Sequence, residues 1–174
     1  GRMVSAVVWR TFDQADLETM AEHAGVPVVN ALSDDFHPCQ ILADLLTVTE
    51  HKGSVAGLKV AYVGDAANNM AHSYLLGFAT AGANIVVAGP ESYQPNPQIL
   101  EDAQRIAAQT GGSATASTDA VVAVSESTPA RRWKNVCLKF QPMMPVRWSA
   151  SRRPRNDPHR ITRYDGVSAC PSRR

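Results

Sequence analysis

The sequence predicts an α/β protein built from two partial Rossmann-like parallel-sheet units, followed by a disordered basic tail. Three observations predict it. Short apolar runs alternate with amphipathic, cappable segments through about residue 123, the grammar of parallel strands with covering helices. Gly53-Ser54-Val55-Ala56-Gly57 interrupts that alternation once. The charge then reverses: residues 1–123 hold five Lys/Arg against thirteen Asp/Glu, a balance of −8, whereas residues 124–174 hold twelve against three, a balance of +9. A reversal this abrupt marks a boundary. The expected units are therefore 1–53, 54–123 and 124–174.

In the first unit, Ala6-Val7-Val8-Trp9 reads as a buried strand with Arg10 at its C-terminal end. Asp13 is a good N-cap, and Leu17, Met20, Ala21 and Ala24 give helical spacing before Gly25. Val26–Asn30 is a second strand, and a loop through Ser33 to Phe36 leads to His37. Pro38 suits the first helical position, since its ring presets φ and its missing N–H would have had no intrahelical partner. Ile41, Leu42, Leu45, Leu46 and Val48 fall mainly on one face, and Gly53 is the stop. The free N–H groups and positive dipole of such a helix start attract anions, and His37 and Gln40, three apart, lie close together there. Ligands of parallel sheets bind beyond the carboxyl ends of the strands, so Arg10 and His37 can face one pocket. Taken alone, these residues equally describe a helix N-terminus with one exposed histidine.

In the second unit, Leu58–Asp65 is a strand ending in Gly-Asp, and Asn68-Asn69 opens a helix carrying Met70, Leu75, Leu76, Phe78 and Ala79, which stops at Gly82. Ile85–Ala88 is the next strand. Pro95-Asn96-Pro97 leads into a helix through Ile99, Ala103, Ile106 and Ala107 that Gly111-Gly112 ends. Ser113–Thr118 is a weaker strand, and Asp119 caps a short helix. Beyond Val124 the pattern fails: residues 125–174 hold six prolines and ten arginines with no sustained period, and no regular structure is expected.

Other totals narrow the function. A formal net charge of +1 points to neither nucleic acid nor membrane. Cys39, Cys137 and Cys170 make neither a disulfide framework nor a metal cluster, which fits a reduced cytoplasmic setting. No leader and no apolar run of membrane-spanning length is seen, so neither secretion nor a membrane partner is expected.

The motifs then carry a resemblance. His37-Pro38-Cys39-Gln40, followed by Ile41-Leu42-Ala43-Asp44, resembles the carbamoyl-phosphate motif of the ornithine carbamoyltransferases. Trp9-Arg10-Thr11-Phe12 resembles the family's strand-end arginine, and Val29–Asp34 precedes the His-Pro motif as it does in the family. Leu58–Ser73, with Asp65-Ala66-Ala67-Asn68-Asn69 at its centre, is similar to the start of the ornithine-binding domain; Ala88-Gly89-Pro90 and Tyr93-Gln94-Pro95 continue the likeness. Aspartate-using relatives are expected to have Thr within the His-Pro motif and no Asp-Ala-Ala-Asn-Asn, which favours ornithine.

The resemblance implies a carbamoyl-phosphate-binding half over 1–53 and an ornithine-binding half over 54–123. It implies carbamoyl transfer to the side-chain amine of L-ornithine, giving citrulline and phosphate in arginine biosynthesis, with no cofactor, metal or covalent intermediate. Homotrimers are usual in the family. Arg10 and His37 match the two groups that contact carbamoyl phosphate, guanidinium and imidazole meeting at its carbonyl oxygen. Gln40 matches the amide that holds the carbamoyl NH2, because only a group with an acceptor can receive those hydrogens. Asn69 matches the asparagine at the amino-acid end of ornithine, with a helix cap as the competing reading; Asn68 is the better cap. Asp65 is read as a local cap, Cys39 as a small packing residue, and His72 as structural.

The family's Ser-Thr-Arg-Thr phosphate loop, its Asp…Ser-Met-Gly and its His-Cys-Leu-Pro segment are not among these 174 residues. Each substrate site is therefore expected to be about half present, and the chain alone weakly active or inactive. The Arg/Pro-rich tail reads as a shifted reading frame or an unrelated fusion. Two alternatives come from other classes: a nonenzymatic anion-binding remnant, and nucleic-acid binding through Arg131-Arg132-Trp133-Lys134 and Arg152-Arg153-Pro154-Arg155, runs more simply read as solvated charge.

Overall fold

The computed structural model describes residues 3–125 and 135–140. Two parallel sheets are present. The first pairs β1 (Val7–Arg10) with β2 (Val28–Leu32), connected through α1 (Gln14–His23). Asp13 caps α1 by accepting from the Ala15 N–H. β2 starts two residues later than the sequence suggests. Pro27 has no N–H to give, and its carbonyl accepts from Val7 at 2.9 Å, so the ladder proper begins at Val28. The register slips at the far end: Trp9 opposes Asn30 but Arg10 opposes Leu32, which leaves Ala31 as an extra residue just where the strands deliver Arg10.

α2 (Pro38–Lys52) begins with Pro38 and ends at Gly53, whose φ of 81° is the left-handed region that glycine adopts freely. It belongs to the first half by sequence but packs on the second. Ile41 and Val48 join one continuous core with Val60 and Tyr62 of β3 (Lys59–Val63), with Tyr74, Leu75 and Phe78 of α3 (Asn69–Thr80), and with Ile85 and Val87 of β4 (Asn84–Ala88). The α2–α3 crossing is close because Gly77 has no side chain: a methyl there would stand 2.3 Å from Ile41 Cγ2.

The second sheet has the order β5-β4-β3-β6, all parallel. α4 (Pro97–Thr110), capped by Asn96, leads to β5 (Ser113–Ser117), and α5 (Ala120–Ser125) starts from Asp119, whose carboxylate accepts the Val121 and Val122 N–H groups. Glu91–Tyr93, between β4 and α4, forms a 3-10 turn. β3 has strands on both sides and is buried along its length from Val60 to Tyr62, as a central parallel strand should be.

One expectation is corrected. The sequence predicts no regular structure over residues 124–174, yet Asn135–Phe140 forms a strand, β6, in parallel register with β3 from Lys59↔Asn135 to Val63↔Phe140. The physical reason is local and non-local together. Val136-Cys137-Leu138 contains no Pro or Gly and suits a strand, and the free edge of β3 offers unpaired backbone donors and acceptors. The rest of that region, with its arginine runs, lies outside the described residues. No helix among the described residues is long and apolar enough to cross a membrane.

Candidate functional site

The site is built on the turn that joins β2 to α2. Ser33 is fully buried, and its N–H donates to the Phe36 carbonyl at 2.8 Å while its Oγ accepts from the Phe36 N–H. The Ser33 hydroxyl in turn donates to Gln14 Oε1 at 2.7 Å, and Asn30 Nδ2 donates to Ser33 Oγ at 3.1 Å. Three side chains from β2, the turn and α1 thus fix the four-residue loop that presents His37. The ends of β1 and β2 are tied to it, because Thr11 N–H donates to Leu32 and Asp34 N–H to Phe12.

His37 occupies the N-cap position of α2 with φ −135° and ψ 67°, but its side chain does not cap the helix. Its backbone N–H donates to Ser73 Oγ at 2.7 Å. That hydroxyl donates to the Asn69 carbonyl at 2.7 Å, and Asn69 Nδ2 donates to the Ser33 carbonyl at 2.7 Å. The first turn of α3 is therefore stitched to both ends of the His37 loop. Asn69 and His37 come together across 32 residues of sequence, on elements of different halves. The cap of α3 is Asn68, whose Oδ1 accepts the Ala71 N–H at 2.9 Å, leaving the Asn69 amide for the loop.

Arg10 ends β1 with an exposed side chain on the strand edge that also leads to His37. Gln40 lies exposed on the first turn of α2, one turn from His37, and its Nε2 donates to Asp44 Oδ1 at 3.0 Å. It does not enter the core. The structure thus brings His37 and Asn69 to one seam, Gln40 to the adjoining turn, and Arg10 to the same sheet edge.

The remaining singled-out residues have local partners. Asp65 accepts the Ala67 N–H, and Cys39 Sγ donates to the Asn30 carbonyl at 3.3 Å. His72 is 7% exposed beneath the loop, with its ring 6.4 Å from that of Phe36. Its Nε2 accepts the Asn96 N–H, which requires the neutral imidazole with the proton on Nδ1. Burial pushes the His72 pKa below the ordinary imidazole value, opposed by the backbone and charge of Asp35 and the charge of Asp65.

Sequence reasoning assigned no role to Ser33, Asp44, Ser73 or Tyr74. The Tyr74 hydroxyl donates to Asp44 Oδ2 at 2.5 Å, linking α3 to α2. Burial pushes its pKa far above the ordinary phenol value, and Asp44 adds to the shift. Tyr62 is likewise raised by burial, moderated by its hydrogen bond with Asn68. Among the described residues no group of three or more His, Cys, Asp or Glu could hold a metal ion. Oriented donors and amides of this kind can stabilise an oxyanion and hold two reactants in line.

Comparisons with known proteins agree in order and extent. Residues 1–50 match the carbamoyl-P binding domain of aspartate/ornithine carbamoyltransferase, and residues 56–128 match the Asp/Orn binding domain of the same family. The chain is similar to the ornithine carbamoyltransferase of Bifidobacterium longum subsp. infantis, 59% identical over 129 residues, covering 72% of this chain and 40% of that protein. It is 58% identical over 124 residues to that of Clavibacter sepedonicus, covering 71% and 40%. Its fold resembles the solved ornithine carbamoyltransferases of Gloeobacter violaceus (TM-score 0.66, 51% identity, 68% of this chain and 41% of that one) and Pyrococcus furiosus (TM-score 0.69, 47% identity, 71% and 39%). The chain thus spans about 40% of the length of the curated relatives it matches.

Proposed function

Because the chain belongs to the aspartate/ornithine carbamoyltransferase family, we propose that it carries part of the machinery that transfers the carbamoyl group of carbamoyl phosphate to the side-chain amine of L-ornithine. The reading divides the labour at residues 53/54. The first half holds carbamoyl phosphate, and the second half, whose family match runs to residue 128, holds ornithine.

In this reading the Arg10 guanidinium, always charged and planar, polarises the carbonyl and touches phosphate. His37 donates to the same carbonyl oxygen as negative charge grows on it, and Gln40 accepts from the carbamoyl NH2. Asn69 contacts the amino-acid end of ornithine. The amine attacks the carbonyl carbon, the carbon–oxygen bond to phosphate breaks, and phosphate leaves with that bond's electron pair. Most of the acceleration comes from alignment and from donors already aimed at the developing charge. Assembly as a homotrimer, a cytoplasmic setting and a place in arginine biosynthesis form part of the same proposal.

The observation that supports the reading is the seam itself: Ser33 and His37 of the first half are hydrogen-bonded to Asn69 and Ser73 of the second. The test is titration of carbamoyl phosphate into the 174-residue chain, followed by nuclear magnetic resonance, beside His37→Ala and Arg10→Ala. Saturable binding that each substitution weakens roughly tenfold or more is expected, since a hydrogen bond to a charged group contributes about 1.5–3 kcal/mol. Binding of inorganic phosphate with equal affinity, and without dependence on His37, would instead indicate the anion-binding remnant. Turnover by these residues alone is expected to be slow or absent, because the family's Ser-Thr-Arg-Thr donors are not among them.

A further inference from the structure

Gln40 can serve its proposed purpose in only one of two orientations. An amide side chain ends in an acceptor oxygen and a donor NH2, and only the oxygen can receive the hydrogens of a carbamoyl group. Gln40 is exposed, so nothing in its own packing selects an orientation. Asp44, one turn along α2, selects it: a carboxylate only accepts, and Asp44 Oδ1 lies 3.0 Å from Gln40 Nε2. The NH2 end is thereby held by Asp44, and Oε1 is the end that Asp44 does not engage.

Asp44 is itself fixed from the other half of the fold. Its second oxygen, Oδ2, accepts from the Tyr74 hydroxyl at 2.5 Å. Tyr74 is 2% exposed and lies between the rings of Tyr62, 5.3 Å away, and Phe78, 5.6 Å away. Tyr62 shares hydrogen bonds with Asn68, the cap of α3. An unbroken set of contacts thus runs from the cap of α3 through two buried phenols to one carboxylate, and from there to the end of an exposed amide.

We propose that Asp44, anchored by Tyr74, is a positioning residue that holds Gln40 by its NH2 end, leaving its oxygen for the ligand, and so gives the site its preference for carbamoyl phosphate over acyl phosphates that lack the NH2 group. The proposal rests on the function proposed above and assigns the origin of its selectivity. Asp44→Asn is the sharpest test, because it is isosteric. The Tyr74 hydroxyl still needs an acceptor and takes the new amide oxygen. The new NH2 then faces Gln40 and engages the Gln40 oxygen in place of its NH2.

Two measurements on the full 174-residue chain decide the matter. The first is the Gln40 side-chain amide signal in a nitrogen–proton correlation spectrum, identified by its loss in Gln40→Leu. In the wild type, one of its two protons should stand downfield as a carboxylate-bonded donor, and in Asp44→Asn it should move to the position of a solvated glutamine. The second is the ratio of dissociation constants for acetyl phosphate and carbamoyl phosphate, expected at roughly 2- to 10-fold in favour of carbamoyl phosphate, the span of one net hydrogen bond. That ratio should fall to one or below in Asp44→Asn. A purely structural Asp44 would weaken both ligands alike and leave the ratio unchanged. Should Asp44→Asn not fold, Tyr74→Phe keeps the carboxylate but frees it, and a smaller fall in the ratio with a partial shift of the amide signal is expected.

An unchanged amide signal or an unchanged ratio overturns the positioning role while leaving carbamoyl-phosphate binding intact. Failure of the wild type to bind carbamoyl phosphate at all overturns the proposed function, and this inference with it.

Discussion

The two halves of the described chain bury themselves very differently. Residues 54–123 supply three strands of a four-stranded parallel sheet, completed by β6, and enclose Val60, Tyr62, Leu75, Phe78, Ile85 and Val87, each less than 2% exposed. In residues 3–53 the sheet has two strands, Leu17 is the buried hydrophobic residue outside α2, and Val8, Phe12, Leu42 and Leu46 are at least 60% exposed. The buried apolar side chains of α2, Ile41 and Val48, serve the core of the other half. Stability and candidate chemistry are thus separated: Arg10, His37 and Gln40 sit on the thin half and depend on the thick half for their placement.

That comparison can be broken by experiment, and the largest effect should come from the thick half. Phe78→Ala is expected to cost about 3–5 kcal/mol and, in a domain of ordinary stability, to leave much of the chain unfolded. Urea unfolding followed by circular dichroism checks it. Ile41→Ala should cost about 2–4 kcal/mol although it lies in the thin half by sequence. Hydrogen exchange should show protection lost in β1 and β2 as well as in α3. If only α2 loosens, the thin half stands without the shared core and the comparison fails.

The helix caps sharpen it further. Asn68 caps α3 from a half-buried position and also bonds Tyr62, so Asn68→Ala should cost about 1–2 kcal/mol. Asp13→Ala removes the same kind of cap from the exposed α1 and should cost about 0.5–1 kcal/mol, read from the two urea midpoints. His72 sets a pH dependence under the loop. Its folded pKa is depressed, so the unfolded chain binds more protons below about pH 6.5. Its contribution is present above that pH and lost as pH falls below it, with a slope of at most about 1.4 kcal/mol per pH unit. Urea midpoints at pH 7.5, 6.5 and 5.5 should fall in that order, and His72→Gln should flatten the trend. The smallest effects belong to Val8→Thr and Val29→Thr, opposed across β1 and β2 and both exposed, which should stay within about 0.5 kcal/mol.

How much of this was legible in the sequence follows from how local each signal is. Asp13, Pro38, Asn68 and Gly111 are caps or helix starts that act on their immediate neighbours, and the helices begin or end where these residues indicate. The strand Ser113–Ser117 was legible despite its small residues because Gly111-Gly112 and Asp119 bracket it. β6 was not, because six residues among many arginines and prolines gain strand structure from an edge some seventy residues earlier. The site divides in the same way. His37, Gln40 and the strand-end Arg10 could be read from one motif and one strand boundary. The tie between Asp44 and Tyr74 spans thirty residues, and a tyrosine in an apolar helix gives no sign of which carboxylate it will meet. Asn69 needed both: its neighbour's capping role is local, but its bond to Ser33 exists only once the halves are folded together.

The hydrogen at Gly77 acts as the thinnest possible shim between α2 and α3, the helices that carry Gln40 and Asn69. Any thicker residue would either push Ile41 aside or prise the two helices apart. The separation of the two helices is therefore adjustable at positions 77 and 41. A designer wishing to widen or narrow the gap between α2 and α3 would begin with paired changes there, before altering Gln40 or Asn69 themselves.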